Sequence, residues 1–243
     1  MRVRASARVR VREELIREIK LTARRQLAEH GPAGLSLRAV ARELGMVSSA
    51  MYRYFPSRDE LLTALILDAY DALGDAVEAA ESAVRRRNLM GRWLAVATAT
   101  RTWALAQPRQ YALIFGSPAP EYRLPTGTID PAARIPLSLA QILTDAALAG
   151  LGPVADDRAI PRALRADLKT WRDSVAPALT EFQLAHLALA WTELVGSVSF
   201  ELFGQLRTVV NDYQSYFDYQ MRGVGHRLGL SAAHPRTAGP ATG

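Results

Sequence analysis

Apolar residues recur three and four positions apart along nearly the whole chain, and that spacing predicts one helix after another. Leu15, Ile19, Ala23 and Leu27 return every four residues, with Ile16 and Leu21 widening the stripe, so a helix is expected over 12–30. The run "HGPAG" stops it through Gly31, Pro32 and Gly34. Ser36 can cap a second helix, which carries Leu37, Val40, Ala41 and Leu44 at i, i+3, i+4 and i+7 and ends at Gly45. Val47 has no oxygen with which to cap the next helix, so that helix is expected to start at Ser48 and to run to 54, with Met51 and Phe55 as its inward pair. Pro56 breaks the pattern, and Ser57 can cap a long helix from Arg58 onward. Three helices, the last two short and joined by a glycine turn, make a helix-turn-helix.

The same period predicts further helices over 58–86, 89–106, 108–116, 132–149, 161–173, 180–207 and 211–228. Two stretches read as irregular: 116–131, with Pro118, Pro120, Pro125 and Pro131, and 150–161. No strand or internal repeat is visible. The fold class is therefore all-α, with an N-terminal three-helix helix-turn-helix domain over 12–60 and a larger helical domain over 61–230. "MRVRASARVRVR" alternates Arg with small or apolar residues, and 1–11 is read as a flexible basic arm. The tail, 231–243, is expected to be disordered.

Charge is distributed unevenly. Residues 1–60 hold 13 Lys/Arg against 7 Asp/Glu, whereas 61–243 hold 17 of each. An excess confined to the first quarter points to a polyanion partner for that segment. Other chemistry is poorly supplied. There is no cysteine, and the four histidines are scattered without metal-ligand spacing. No apolar run approaches the length of a membrane span, and no apolar segment follows the basic N-terminus as a secretory signal would require. A cytoplasmic protein is expected. "GVGHRLG", 223–229, has the wrong glycine spacing for a dinucleotide loop, and no nucleophile elbow, metal cluster or carboxylate pair stands out. An enzyme is therefore not expected, and no cofactor.

A helix-turn-helix fits one exposed helix into the major groove while its neighbour braces it across the backbone. With Met51 and Phe55 inward, Ser48, Ser49, Tyr52 and Arg53 are left facing out. Serines and the small Ala50 allow close approach, Arg53 can donate to a guanine edge, and tyrosine hydroxyls suit phosphates. Arg58 adds its charge to the positive end of the following helix.

These residues resemble the TetR family of bacterial transcriptional regulators. The family pattern stands here as Ser36, Leu37, Arg38, Ala41, Gly45, Met46, Tyr52, Tyr54, Phe55, Arg58, Leu61 and Leu62, and the likeness covers residues 12–65. It implies that Tyr52, Tyr54 and Arg58 match phosphate-contacting positions. Ser48, Ser49, Ala50 and Arg53 match the base-facing surface, and Arg38 a position on the bracing helix that can reach a base or a phosphate. The chain departs from the pattern at Tyr54, commonly His, and at Val47, often a hydroxyl residue. Further on, "WTELVG", 191–196, is similar to the Trp-x-x-x-His-Gly helix of one C-terminal subfamily, the WHG type. Val195 stands where that pattern has His, so no ligand role of the histidine transfers.

Helix 186–206 carries two apolar faces. Leu187, Trp191, Leu194, Val198 and Leu202 form one; His186, Leu189, Glu193, Gly196, Phe200 and Phe203 form the other. Such a helix touches two things, here the domain's own core and a second subunit. Trp191, Gly196, Ser199 and Phe203, with Tyr213 and Phe217 of the last helix, are the expected homodimer interface. An effector pocket for a small apolar or aromatic molecule is expected among Trp93, Trp103, Tyr111, Phe115, Trp171 and Phe200, oriented by Gln110, His186 and Glu193. The function expected is a dimeric, ligand-responsive repressor of a palindromic operator. The alternatives are a constitutive or architectural DNA-binding protein and, far behind, an all-helical enzyme.

Overall fold

The computed structural model describes residues 2–116, 129–154 and 159–231. Among these there are ten α-helices and no strand: α1 (Arg2–His30), α2 (Leu37–Glu43), α3 (Ser48–Met51), α4 (Arg58–Ser82), α5 (Leu89–Ala106), α6 (Pro108–Phe115), α7 (Ile129–Leu148), α8 (Arg162–Val175), α9 (Glu181–Leu202) and α10 (Tyr213–Arg227). The protein is all-α, as the periodicity predicts. Most of the Pro-rich segment after α6 and the tail beyond Ser231 lie outside the described residues.

Several boundaries differ from the expectation; α4 ends at Ser82 instead of 86, and α7 starts at Ile129 instead of 132. α1 reaches back to Arg2, through the segment read as an arm. No Gly or Pro occurs before Gly31 to stop it, and Arg and Ala are strong helix formers. α3 is a single turn that tightens into i+3 bonds, Arg53 N to Ala50 O at 3.2 Å and Tyr54 N to Met51 O at 2.9 Å. α9 ends at Leu202 instead of 207, closed by Gln205 N to Phe200 O at 2.8 Å and Gly204 N to Glu201 O at 3.1 Å.

The chain divides into two compact units, Met1–Ala72 with Gln107–Ala132, and Leu73–Ala106 with Ala133–Gly243. In the first, Ile19 and Ala23 of α1, Val40 and Ala41 of α2, Met51, Phe55, and Leu61, Leu62, Leu65 and Ile66 of α4 share one core. Leu21, expected in the stripe, is 52% exposed. Lys20 and Arg24 both bind Asp68, at 2.7 and 2.8 Å, and fasten α1 to α4 beside that core. Ser36 caps α2 through Ala39 N, and Ser57 caps α4 through Glu60 N.

In the second unit Trp93 is buried and donates its indole N–H to the Met221 carbonyl at 2.7 Å, joining α5 to α10. Arg92 is buried too. It is clamped by Glu81 at the end of α4 and by Asp145 of α7, the latter at 2.6 Å. Two glycines of "GVGHRLG" serve packing. A Cβ on Gly225 would strike Met90 and Trp93, and Gly229 closes α10 at φ +71°, where a Cβ would lie 1.7 Å from the Gly152 carbonyl oxygen.

Candidate nucleic-acid interface

The turn between α2 and α3 is built by Gly45 at φ +65°, a conformation costly for any residue with a Cβ. Met46 N to Ala41 O at 2.8 Å and Gly45 N to Arg42 O at 3.2 Å close α2 there. α2 buries Leu37, Val40 and Ala41 and leaves Arg38 exposed. α3 starts at Ser48, with Val47 in the capping position making no side-chain bond. Met51 and Phe55 anchor it, 0% and 7% exposed. Ser48, Ser49, Tyr52 and Arg53 face solvent, and Ala50 is half-buried between them. The side chains singled out for reading bases thus form one open, small-residue surface ending in a guanidinium.

Two flanking residues are more engaged than the sequence suggests. Tyr54 is half-buried beneath Arg12, whose guanidinium lies 5.1 Å from the ring centroid. Arg58 is half-buried, donates to the Pro32 carbonyl, and ties the start of α4 to the turn after α1. Its Nε is buried with no partner among the described residues.

Apart from Arg12 and Arg58, several described arginines of this unit are either paired or open. Arg17 pairs with Glu14, Arg24 with Asp68 and Arg25 with Glu43. Arg10, Arg38, Arg42 and Arg53 are exposed and have no carboxylate partner among the described residues. Unpaired surface cations near an exposed helix are the electrostatic footprint of a phosphate-binding surface.

The residues expected to line an effector pocket are divided between the two units. Gln110, Tyr111 and Phe115 belong to the first unit, where the ring of buried Tyr111 lies 4.9 Å from that of Phe115, tilted by 48°. Trp93 is core, while Trp103 and Trp171 are half-buried on α5 and α8. His186, Glu193 and Phe200 do come together, along an open cleft of about 840 Å³ between α9 and α10. Its lining is mainly apolar, with Gln220 and Arg227 adding polar groups, and Arg227 pairs with Glu193 there.

The two faces of α9 separate as the pattern predicts. Leu187, Leu194 and Val198 are buried, while Leu189, Phe200 and Phe203 are about half exposed, at 53%, 51% and 47%. Gly196 lines the cleft with nothing within 4 Å of its Cβ position; Trp191 and Ser199 are half-buried. On α10 the expected register is corrected. Phe217, read as an interface residue, is 2% exposed and packs in its own core under Arg101, which Glu201 holds. Tyr213 is half-buried with its hydroxyl enclosed. Tyr216 and Tyr219 face outward instead, the latter 81% exposed. Among the described residues no group of three metal-ligating side chains occurs, and no helix is long and apolar enough to cross a membrane.

Known proteins share this arrangement. Residues 21–65 match the family model described as "Bacterial regulatory proteins, tetR family", and residues 93–224 the model described as "Tetracyclin repressor-like, C-terminal domain". HTH-type transcriptional regulators of Mycobacterium tuberculosis and Mycobacterium bovis are 38% identical over 224 residues, covering 90% of this chain and 94% of theirs. A crystal structure of regulatory protein SCO4313 is 34% identical with a TM-score of 0.70, covering 88% of this chain and 97% of that one. A Rhodococcus sp. RHA1 protein of unknown function, 24% identical over 88% of this chain and 95% of its own, shares the fold with a TM-score of 0.63. With an exposed helix braced in a helix-turn-helix, and with relatives of this closeness over nearly its whole length, the chain belongs to the TetR family of bacterial transcriptional regulators, proteins that bind DNA and are not enzymes.

Proposed function

We propose that the protein is a dimeric repressor that binds a palindromic operator through residues 48–54 and is released by a small apolar effector. The observation that carries the reading is the solvent-facing set Ser48, Ser49, Tyr52 and Arg53 over the buried pair Met51 and Phe55. Arg53 and Ser48–Ala50 meet base edges; Ser36, Arg38, Tyr52, Tyr54 and Arg58 hold the flanking backbone. Arg58 does so with the part of its guanidinium that the Pro32 carbonyl leaves over.

The exposed apolar residues of α9 and α10 support pairing with a second copy. Leu189, Phe200, Phe203, Tyr216 and Tyr219 form the contact, and Gly196 lets the partner's helix approach. Two reading helices then stand about 34 Å apart, one duplex turn. The mainly apolar cleft between α9 and α10 shares Leu189, Gly196, Phe200 and Tyr216 with that contact, so it receives the partner's helix, and the effector enters the helical domain elsewhere. An effector lowers operator affinity only by its differential affinity for the free and DNA-bound states.

Electrophoretic mobility shift on a duplex selected from a random-sequence library by the protein tests this. A retarded complex dispersed by a small apolar metabolite is the expected result. A complex insensitive to any metabolite would favour a constitutive DNA-binding protein, and no complex would remove the operator reading.

A further inference from the structure

Five arginines and no acidic residue occupy positions 1–12. The backbone there is the opening of α1, and it is anchored at one point. Arg12 lies over the Tyr54 ring and reaches the Arg53 carbonyl at 3.4 Å. The first turns of α1 are thereby held against Arg53 and Tyr54, at the end of the reading segment 48–54. Beyond that point α1 neutralises its cations internally, Arg17 on Glu14, Lys20 and Arg24 on Asp68, and Arg25 on Glu43. Arg10 is exposed and has no such partner among the described residues. Arg is a good helix former, but arginines at a helix start oppose the helix dipole and repel one another, so their charge is not explained by the helix itself. An external polyanion does.

We propose that Arg2–Arg12 of α1 is a second DNA contact, laid along the backbone phosphates that flank the bases read by α3. Arg12 is its positioning residue, acting through Tyr54. At about 1.5 Å per residue, the turns before Arg12 lengthen the contact by about 15 Å, close to half of the roughly 34 Å duplex turn. The contact is to phosphate and not to the minor-groove floor. A helix with side chains is about 10–12 Å across, too wide for a groove of about 6 Å.

The inference rests on DNA reading by α3, and the test separates the two. The joint substitution of Arg2, Arg4, Arg8 and Arg10 by Gln keeps chain length and helix propensity. Affinity is measured against salt on a short duplex selected from a random-sequence library by the wild-type protein, and on an unselected duplex. The variant should lose about two to four from the slope of log affinity against log salt, at about 0.9 per phosphate contact. Both duplexes should weaken by the same factor. Arg10→Gln alone, which leaves the rest of α1 untouched, should lose about one. Arg12→Gln should lose more than its own single contact, and Arg12→Lys should restore most of the loss. Unchanged slopes, or a changed base preference at equal slope, overturn the proposal while leaving α3 as the reader. A wild-type protein that selects no duplex overturns both.

Discussion

Arg53 and Arg92 are the same residue type put to opposite uses. Arg53 is exposed at the end of the reading helix without a carboxylate partner among the described residues; Arg92 is 3% exposed and gripped by Glu81 and Asp145. An exposed, unpaired guanidinium can exchange water for a base edge, whereas a buried one holds the fold. Arg53→Ala should relax the choice of one or two base pairs, at about 1–3 kcal/mol, and Tyr52→Phe should weaken all sequences alike. Selection of duplexes from a random library by each variant checks this; an unchanged preferred sequence would remove Arg53 from base reading. Arg92→Ala strands Glu81, leaves Asp145 to Arg86 and Gln141, and should cost about 3–5 kcal/mol near neutral pH. Burial by itself raises the Asp145 carboxyl, but the hydrogen bonds from Arg92 and Arg86 hold it below its ordinary value. A depressed folded value means stabilisation complete above the ordinary carboxylate range and lost as pH falls through the lowered one. The deficit of Arg92→Ala in thermal melts should therefore shrink toward acid. A deficit constant with pH would contradict the clamp.

Most elements were legible because an amphipathic helix repeats its apolar residues audibly in sequence, as Leu37, Val40, Ala41 and Leu44 do. Two things were not. Tyr213, Phe217, Gln220 and Val224 form a clean ladder on α10, yet nothing local says which way a ladder faces. Phe217 and Val224 pack inward, and the outward face falls to Tyr216 and Tyr219. The contact of Arg12 with Tyr54 spans 42 positions and appears only once α1 and α3 are packed. Where a helix carried apolar residues on both faces, as α9 does, the sequence announced the second face and left its occupant to be argued. For the proposed pairing, Gly196→Trp is the direct probe. Its Cβ position is open, so the fold should survive while sedimentation shows a monomer in place of a dimer. A dimer that persists in the folded variant would place the interface elsewhere.

At the scale of the molecule, the division of charge follows the division of labour. The net positive charge lies in the first 60 residues, and the remainder is balanced. In the first unit, cations between α1 and its neighbours are consumed in ion pairs, while Arg10, Arg38, Arg42 and Arg53 have no carboxylate partner among the described residues. Balanced charge and exposed apolar residues on α9 and α10 suit association with a like surface, and twofold association turns one reading helix into two. The account therefore stands on α3 meeting the edges of paired bases. The most direct measurement is selection of duplexes from a random library by the wild-type protein, followed by footprinting of the enriched sequence. Two symmetric protected half-sites, centred about 10 bp or a multiple of it apart, are predicted. A library that yields no enriched sequence, with no protected duplex, would contradict it.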